Sequence, residues 1–400
     1  MDVFWGCLIA FLSTVGIIRA LRAVAPYVGL VDNPDGLRKR HEGSVPLVGG
    51  IAIYLGFVSS MMALTPVFEG LPWIMAGGLL LVGVGVRDDC CPISAERRIA
   101  TQIAAALLAI YGADVRLYDL GNLSVGGGVL PLGVLSVPFT VFTMVGTINA
   151  INLSDGIDGL AGMLTVLTLL ALIVMASLAG RYELFQISIC LASAMTAFLL
   201  FNLSGARRRR GRVFLGDAGS TLLGYLLACL LIASSQGDNR VFAPIIALWL
   251  VALPFADTIA VAARRLASGR SPFHADRTHL HHLALSAGLS QRQTLFLLSG
   301  MCMVYVIIGL VGWLFHVSDL AMLGLVLFFS SHNLWWTGRA WTVRRFLGRR
   351  VCRRSGKDRR QIATSNIMRE CRRGDRRLCA DLNTRTPLLR SPTQAAGTDA

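Results

Sequence analysis

Long apolar stretches alternate with short polar connections over most of the chain. Many of the stretches are roughly 17 to 22 residues long, the length that an α-helix needs to cross about 30 Å of hydrocarbon. They fall near residues 3–19, 47–65, 71–86, 99–111, 131–149, 160–179, 184–203, 218–236, 242–260, 293–314 and 320–336. The pattern predicts an all-α, polytopic membrane protein with about eleven transmembrane helices.

The composition agrees with this prediction. The mean hydropathy is +0.60 and the hydrophobic content is 54%, more than a single soluble core requires. The first stretch, which begins at Val3, has neither a basic leader nor a small-residue cleavage site in the usual place. We therefore expect it to be the first span and not a cleaved signal peptide.

Arginine and lysine are distributed unequally among the connections. Nearly all of those before the C-terminal tail lie in alternate connections, at residues 38–40, 97–98, 207–212 and 264–277. The other connections, such as 112–130 and 237–241, are poor in positive charge. Because basic loops stay in the cytoplasm, the N-terminus is predicted to lie outside and the C-terminus inside.

The C-terminal segment differs from the rest of the chain. Residues 338–400 carry seventeen Arg or Lys and five Asp or Glu, a net charge of +12 out of +15 for the whole chain. We expect a membrane domain at 1–337 and a basic, disordered cytoplasmic tail at 338–400. Contact with anionic membrane lipids explains such a tail more simply than nucleic-acid binding does, so no nucleic-acid partner is expected.

The nine cysteines give no sign of cross-links or of zinc. None of them forms a Cys-x-x-Cys pair, and none lies in a predicted external loop. Structural disulfides and a zinc site are therefore not expected.

Acidic and amide side chains cluster at the predicted cytoplasmic ends of three spans. They are Asp88 and Asp89 after the third span, Asn152, Asp155 and Asp158 after the fifth, and Asp217 at the start of the eighth. Ionisable groups beside apolar spans are costly and usually functional. Oxygen-rich clusters suit Mg²⁺ or Mn²⁺ shared with substrate phosphates. The alternative is that each Asp only caps the helix that follows it.

Two further motifs lie in predicted cytoplasmic loops. Four of the seven histidines fall within residues 271–282, where they could bind a metal, contact a diphosphate or transfer protons. The neighbouring carboxylates favour contact with an anion, and a solvated loop is the alternative. Taken alone, the stretch Arg38–Gly43, followed by Pro46–Gly50, is explained by basic residues that keep the loop cytoplasmic and by a turn.

The order of these motifs resembles the polyprenyl-phosphate N-acetylhexosamine-1-phosphate transferase family. The motifs that carry the resemblance are Asp-Asp, Asn-x-x-Asp-Gly-x-Asp-Gly, Phe-x-Gly-Asp-Ala-Gly-Ser and His-Leu-His-His. With the first-loop stretch Pro46–Gly50, the resemblance covers about residues 30–285. The approach to the histidines, Pro272–Arg277, is similar to the branch of bacterial undecaprenyl-phosphate N-acetylglucosaminyl-1-phosphate transferases. It differs from the peptidoglycan branch, which takes UDP-MurNAc-pentapeptide.

The resemblance implies a role for each motif residue. Asp217 would bind the magnesium ion, Asp88 would deprotonate the lipid phosphate, and Asp89 would lie near the metal and the diphosphate. The nucleotide and sugar would contact Asn152, Asp155, Gly156 and Asp158, with Asn202 and Phe214 on the uracil. The diphosphate or sugar would contact Arg277, His279, His281 and His282.

The resemblance also implies an activity. The enzyme would transfer N-acetylhexosamine 1-phosphate, in the first place GlcNAc-1-phosphate, from a UDP-sugar to undecaprenyl phosphate and release UMP. FucNAc, QuiNAc and GalNAc donors remain alternatives. The product would begin a cell-surface polysaccharide such as an O-antigen, at the cytoplasmic face of a bacterial inner membrane. Direct attack and a covalent phospho-aspartate both fit, and direct attack is favoured. The oligomeric state is open, a homodimer included.

Two departures from the family pattern limit the assignment. The translocase branch has a lysine where this chain has Glu42, so a uracil-binding cation is not assigned at that position. Lys39 or His41 would have to take its place. The segment Gly205–Arg212 is unusually basic. A transporter is the competing class, since its membrane segments also carry carboxylates, but those lie near the bilayer midplane and not at span ends. A membrane scaffold would leave the aspartate motifs unexplained.

The arginine asymmetry predicts the sidedness of individual connections. In a cysteine-free background, single cysteines at Gly126 and Asp238 should react with an impermeant maleimide added outside intact cells. A cysteine at Arg208 should react only after lysis. The reverse labelling pattern would invert the orientation and remove the cytoplasmic site, because UDP-sugars are cytoplasmic.

Overall fold

The structure is a computed structural model that describes residues 3–33, 44–64, 69–124, 126, 128–203, 212–267, 269 and 279–354. The chain divides into two units, Met1–Thr337 and Gly338–Ala400. In the second unit the description covers the continuation of one helix to Arg354. Arg277, the first-loop residues Arg38–Gly43 and the basic residues Arg207–Arg210 lie outside the described residues.

The described chain is helical, with thirteen α-helices. They are α1 (Val3–Val24), α2 (Gly49–Ala63), α3 (Leu71–Cys90), α4 (Ala95–Ala113), α5 (Ser136–Ser154), α6 (Leu160–Leu178), α7 (Tyr182–Asn202), α8 (Gly216–Ser235), α9 (Pro244–Leu250), α10 (Ala252–Ala267), α11 (Leu280–Ser286), α12 (Gln291–Leu314) and α13 (Asp319–Arg354). A short antiparallel pair joins β1 (Val31–Asp32) to β2 (Val45–Pro46). The prediction of an all-α polytopic membrane protein is confirmed.

Each of the eleven predicted stretches coincides with a helix or a pair of helices. Among the described residues, seven helices are long and apolar enough to cross a membrane, or eight if the pair α9 and α10 forms one span. Helix α2 has only 15 residues, which is about 22 Å at 1.5 Å per residue. The first turn of helix α4 contains Glu96, Arg97 and Arg98, which lower its hydropathy. The count of eleven spans and their sidedness stay predictions.

The predicted span at 242–260 is broken. Helices α9 and α10 meet at an angle of 78°, which leaves backbone groups at the break without their helical partners. The hydroxyl of Thr168 on α6 donates a 2.8 Å hydrogen bond to the carbonyl of Leu250 at this break. Side-chain partners of this kind make irregular backbone tolerable within a membrane protein.

Helix α8 lies at the centre of the bundle and is buried along nearly its whole length. It packs against α2, α3 and α5 through glycines that allow backbones to approach. A Cβ added at Gly50 would overlap the backbone of Gly219, and one added at Gly224 would lie 2.5 Å from Ile148 Cα. Small residues drive close helix packing in membranes. The contacts fix the position of the first turn of α8.

We predict that Gly85→Ala destabilises the protein, whereas Gly83→Ala, two residues away on α3, does not. A Cβ at Gly85 would overlap Ala218 Cα and lie 2.5 Å from Ala218 N, while a Cβ at Gly83 meets nothing within 4 Å. Overpacking of this kind costs about 1–3 kcal/mol. Thermal unfolding of both variants in the same detergent measures the difference. Equal midpoints would show that α3 and α8 are not packed as described.

Candidate active site

The carboxylate of Asp89, in the last turn of α3, holds the first turn of α8. It accepts hydrogen bonds from the backbone N–H groups of Asp217, at 2.9 Å, and Ala218, at 3.3 Å. Gly216 precedes them with φ +74°, and a Cβ there would lie 2.5 Å from Asp89 Oδ2. The position therefore favours glycine for both its conformation and its space. Asp89 caps a helix distant in sequence, and the helix that follows it, α4, is capped by Ser94.

Asp217 is fixed by a second contact. The amide of Asn152, in the last turn of α5, donates hydrogen bonds of 2.9 Å to Asp217 Oδ1 and 2.8 Å to Ser220 Oγ. The backbone and one carboxylate oxygen of Asp217 are thus both held by other helices. The predicted metal ligand has a defined orientation before any ligand arrives.

Asp88 is paired with Arg98, which the sequence analysis used only to orient the chain in the membrane. Its carboxylate contacts Arg98 Nε at 2.6 Å and Nη2 at 3.1 Å and accepts a 2.8 Å hydrogen bond from Ile93 N–H. Asp88 is only 7% exposed. The hydrogen bonds from Arg98 Nη2 and Ile93 N–H, together with the opposite charge of the guanidinium, compensate for this burial.

Asp88, Asn152 and Asp217 line one small cavity between α3, α4, α5 and α8. Its volume is about 50 Å³, enough for an ion with a few waters but far too small for a nucleotide sugar. Arg98, Gln102 and Asn149 also line it, and the Asn149 amide donates a 2.7 Å hydrogen bond to Gln102 Oε1. The apolar side chains of Leu81 and Val84 complete the wall.

The donor set of this cavity fits Mg²⁺ better than a transition metal. Its candidate ligands are the carboxylate and amide oxygens of Asp88, Asp217 and Asn152, which suit a hard cation. Within the described part of the chain, no three His, Cys, Asp or Glu side chains converge to hold a metal ion. Mg²⁺ is commonly held by one or two carboxylates together with water and substrate phosphates.

Asp155, the residue that follows α5, lies near these carboxylates and is exposed. Partial desolvation of the carboxyl group, followed by the negative charges of Asp217 and Asp89, raises the pKa of Asp155. Water reaches this exposed residue and screens part of the repulsion. The end of the bundle therefore concentrates negative charge, as a cation site requires.

The connection before α8 carries an arginine over an aromatic ring. Arg212 pairs with the carboxylate of Asp158, and its guanidinium lies 4.8 Å from the centre of the Phe214 ring. Guanidinium groups are attracted to aromatic faces. Two residues predicted to contact the nucleotide sugar, Asp158 and Phe214, are thus joined by a cation.

Asn202, at the end of α7, is buried and contacts Val213, the residue before Phe214. Its amide donates a 2.9 Å hydrogen bond to the carbonyl of Val213. Its Oδ1 atom is buried and has no hydrogen-bond partner within the described residues. Buried acceptors are usually satisfied, so this atom is a candidate for contact with a ligand.

The first-loop glycines have a structural role that the sequence analysis did not assign. The N–H groups of Gly49 and Gly50, which begin α2, donate to the carbonyls of Phe214 and Leu215 at 3.0 and 3.1 Å. In turn, Phe214 N–H donates to the Pro46 carbonyl at 2.8 Å. The Pro46–Gly50 motif therefore fixes the backbone that carries Phe214.

The described part of the histidine motif is anchored by Asp257 on α10. Asp257 Oδ2 lies 3.0 Å from His279 Nδ1, and Asp257 Oδ1 accepts a 3.0 Å hydrogen bond from Leu280 N–H. The rings of His279 and His281 are parallel within 5°, with centres 5.8 Å apart. The rings of His281 and His282 are 4.2 Å apart.

His281 packs under the Asp155–Asp158 loop. It is 3% exposed, and a Cβ added at Gly156 would overlap its Nε2 atom. Burial, followed by the charges of His282 and His279, lowers the pKa of His281 to about 3. His281 is therefore neutral at neutral pH and supports the loop as an uncharged ring.

The structure thus brings the motif groups to one end of the bundle, and the functional roles assigned to them stay predictions. Sequence reasoning missed Arg98 and Asp257 as parts of the site. Asp257 had a usable signal, since it is an acidic residue inside the apolar stretch 242–260, and such residues are usually functional. Arg98 had none beyond its charge, because its pairing with Asp88 depends on how α3 and α4 meet.

Comparison with known proteins identifies the family. Residues 71–235 match the profile of glycosyl transferase family 4. The chain is 34% identical over 357 residues to the undecaprenyl-phosphate alpha-N-acetylglucosaminyl 1-phosphate transferase of Haemophilus influenzae, covering 89% of this chain and 98% of that protein. The transferases of the same name from Pasteurella multocida and Escherichia coli K12 are 36% and 35% identical, over 87% of this chain and 97% and 94% of theirs. The resemblance read from the motifs is confirmed, and the chain belongs to glycosyl transferase family 4.

Proposed function

We propose that this enzyme transfers GlcNAc 1-phosphate from UDP-GlcNAc to undecaprenyl phosphate at the cytoplasmic face of a bacterial inner membrane. The observation that carries the proposal is the near full-length similarity to transferases of that name, in a chain that joins Asp88, Asn152 and Asp217 around one cavity. Basic connections on the side that holds the motifs support the cytoplasmic orientation.

The reaction joins two anions. An oxygen of the lipid phosphate attacks the sugar-linked phosphorus of UDP-GlcNAc, and the bond from that phosphorus to the bridging oxygen breaks. UMP leaves with that oxygen, and the product is a lipid diphosphate that carries the sugar. Catalysis of such transfers rests mainly on positioning and on neutralising charge. Direct attack needs no covalent enzyme intermediate and is the mechanism that we favour.

The acceptor side is assigned to Asp88 and Arg98. A phosphate monoester has its second pKa near 6, so most lipid phosphate arrives deprotonated at neutral pH and Asp88 has only the remaining proton to remove. Arg98, held at the cavity by Asp88, would attract the phosphate, and the apolar side chains of Leu81 and Val84 line the same cavity. This gives the ion pair a role in bringing the acceptor to the donor.

Asp217 and Asn152 would hold Mg²⁺, with Asp88 facing the same cavity. When bound, the ion would neutralise charge on the diphosphate. Asp89 serves this arrangement through the backbone of α8, since its two oxygens are engaged by Asp217 and Ala218 N–H.

The donor side is assigned to the surface around Phe214. The ring offers a face for stacking uracil, and Asn202 Oδ1, which has no partner among the described residues, offers an acceptor for the uracil N–H. Arg212 lies between this ring and Asp158. A guanidinium in that position is suited to exchange Asp158 for the donor diphosphate.

The proposed reaction predicts incorporation of label from UDP-[¹⁴C]GlcNAc into organic-extractable lipid by the purified protein, with undecaprenyl phosphate as acceptor and Mg²⁺ present. UDP-GalNAc, UDP-FucNAc and UDP-QuiNAc serve as competing donors. Asp217→Asn should reduce transfer at least about 100-fold and should not recover at higher Mg²⁺, because an amide is a poorer ligand for a hard cation.

Asp238→Asn is the matched control, since Asp238 lies in a connection away from the motifs, and it should leave transfer unchanged. If none of the donors gave transfer to the lipid, the proposed function would be refuted. Near-normal transfer by folded Asp217→Asn would remove Asp217 from metal binding.

For the donor side, Arg212→Ala should raise KM for UDP-GlcNAc by roughly 10- to 100-fold, the equivalent of one charge-assisted contact. KM for undecaprenyl phosphate should change little. Arg212→Lys should recover part of the loss, because it keeps the charge but not the planar stacking. Arg240→Ala, which removes another arginine paired with an aspartate (Asp119, at 3.6 Å), is the control. An unchanged donor KM in Arg212→Ala would contradict the assignment.

A further inference from the structure

We infer that Asp257 is a positioning residue for the transfer reaction, which acts through His279 by fixing its tautomer and ring orientation. The inference rests on the proposed function for the role of His279, but its geometric part stands on the described contacts alone. Neither the motifs nor the family resemblance singled out Asp257.

The two oxygens of Asp257 have separate partners. Oδ1 accepts from Leu280 N–H at the start of α11, and Oδ2 lies 3.0 Å from His279 Nδ1. A carboxylate oxygen accepts hydrogen bonds, so Nδ1 of His279 must carry a proton. Nε2 is then the ring nitrogen that remains for another partner.

Burial makes this arrangement rigid. The side chains of His279 and Asp257 are 5% and 10% exposed, so solvent offers little competition for the contact. The parallel ring of His281, at 5.8 Å, limits rotation of the His279 ring from a second side. His281 in turn supports Gly156. One carboxylate on α10 therefore orders the His279–His282 segment and, through it, the underside of the Asp155–Asp158 loop.

Asp257→Asn is the decisive variant because of these separate partners. Leu280 N–H requires an acceptor, so the Asn oxygen takes the place of Oδ1 and the NH₂ group faces His279 Nδ1. An NH₂ group donates, which forces Nδ1 to accept and moves the proton of a neutral His279 to Nε2. The variant keeps the volume and the contact with α11 but reverses the tautomer.

In kinetics, we expect Asp257→Asn to lower kcat about 100-fold, as loss of a carboxylate that orients a functional histidine does elsewhere, with donor KM within about threefold. His279→Gln should have a similar effect. The double variant should be no slower than the slower single variant, because residues that act as a unit are not additive. Effects that multiply, or a near-normal kcat in Asp257→Asn, would overturn the inference.

Asp319→Asn is the control for a carboxylate that only holds backbone. Asp319 Oδ2 accepts from Asn122 N–H at 2.7 Å, and the variant should leave kcat and KM unchanged. A loss of kcat in Asp319→Asn that equals the loss in Asp257→Asn would show that neutralising a structural carboxylate is sufficient, and would overturn a specific action through His279.

A spectroscopic measurement separates this inference from the proposed function. Side-chain ¹⁵N NMR of histidine-labelled protein in detergent, with His279→Gln for assignment, should show Nδ1 protonated in His279 of the wild-type protein. In Asp257→Asn the proton should be on Nε2. A wild-type His279 with its only proton on Nε2 would refute the inference even if the variant did not fold. Absent transfer with the expected tautomers would refute the proposed function and leave the positioning contact intact.

Discussion

The contact between Asp89 and the first amides of α8 is the interaction on which the rest of the site depends. The N-terminus of a helix leaves its first N–H groups without partners, and a buried one requires an acceptor from elsewhere. Asp89 supplies it from α3, with hydrogen bonds to a charged group that each contribute about 1.5–3 kcal/mol. Asp217 lies in this first turn of α8. Its position is therefore tied directly to the end of α3, where Asp88 faces the same cavity.

Close packing makes that contact possible. Carboxylate and helix end meet only because Gly50, Gly85 and Gly216 carry no side chain at the places where α2, α3 and Asp89 approach α8. In a bilayer, association between helices depends on such packing and on hydrogen bonds more than on the hydrophobic effect. The same glycines that join the helices therefore also set the distances among the carboxylates.

The sequence predicted the helices and the grouping of the motifs because both depend on local signals. Apolar length defines a span, and acidic residues beside a span mark its functional end. The break between α9 and α10 and the pairing of Arg98 with Asp88 depend on how helices meet in space, which one sequence does not encode in a readable pattern. The capping alternative illustrates the limit. Asp89 does cap a helix, but α8 lies more than a hundred residues away.

The division of work among the aspartates follows from the cost of ionisable groups in a membrane protein. Asp89 and Asp257 each engage backbone amides at the start of another helix, and Asp88 engages the amide of Ile93 as well as Arg98. Each of these carboxylates is thereby compensated and holds the chain in a fixed position. Asp217, held by Asn152 but by no cation among its described contacts, presents its carboxylate to the cavity. In a site built in this way, the supporting carboxylates are paired within the protein. The remaining coordination positions of the cation are left to the substrates.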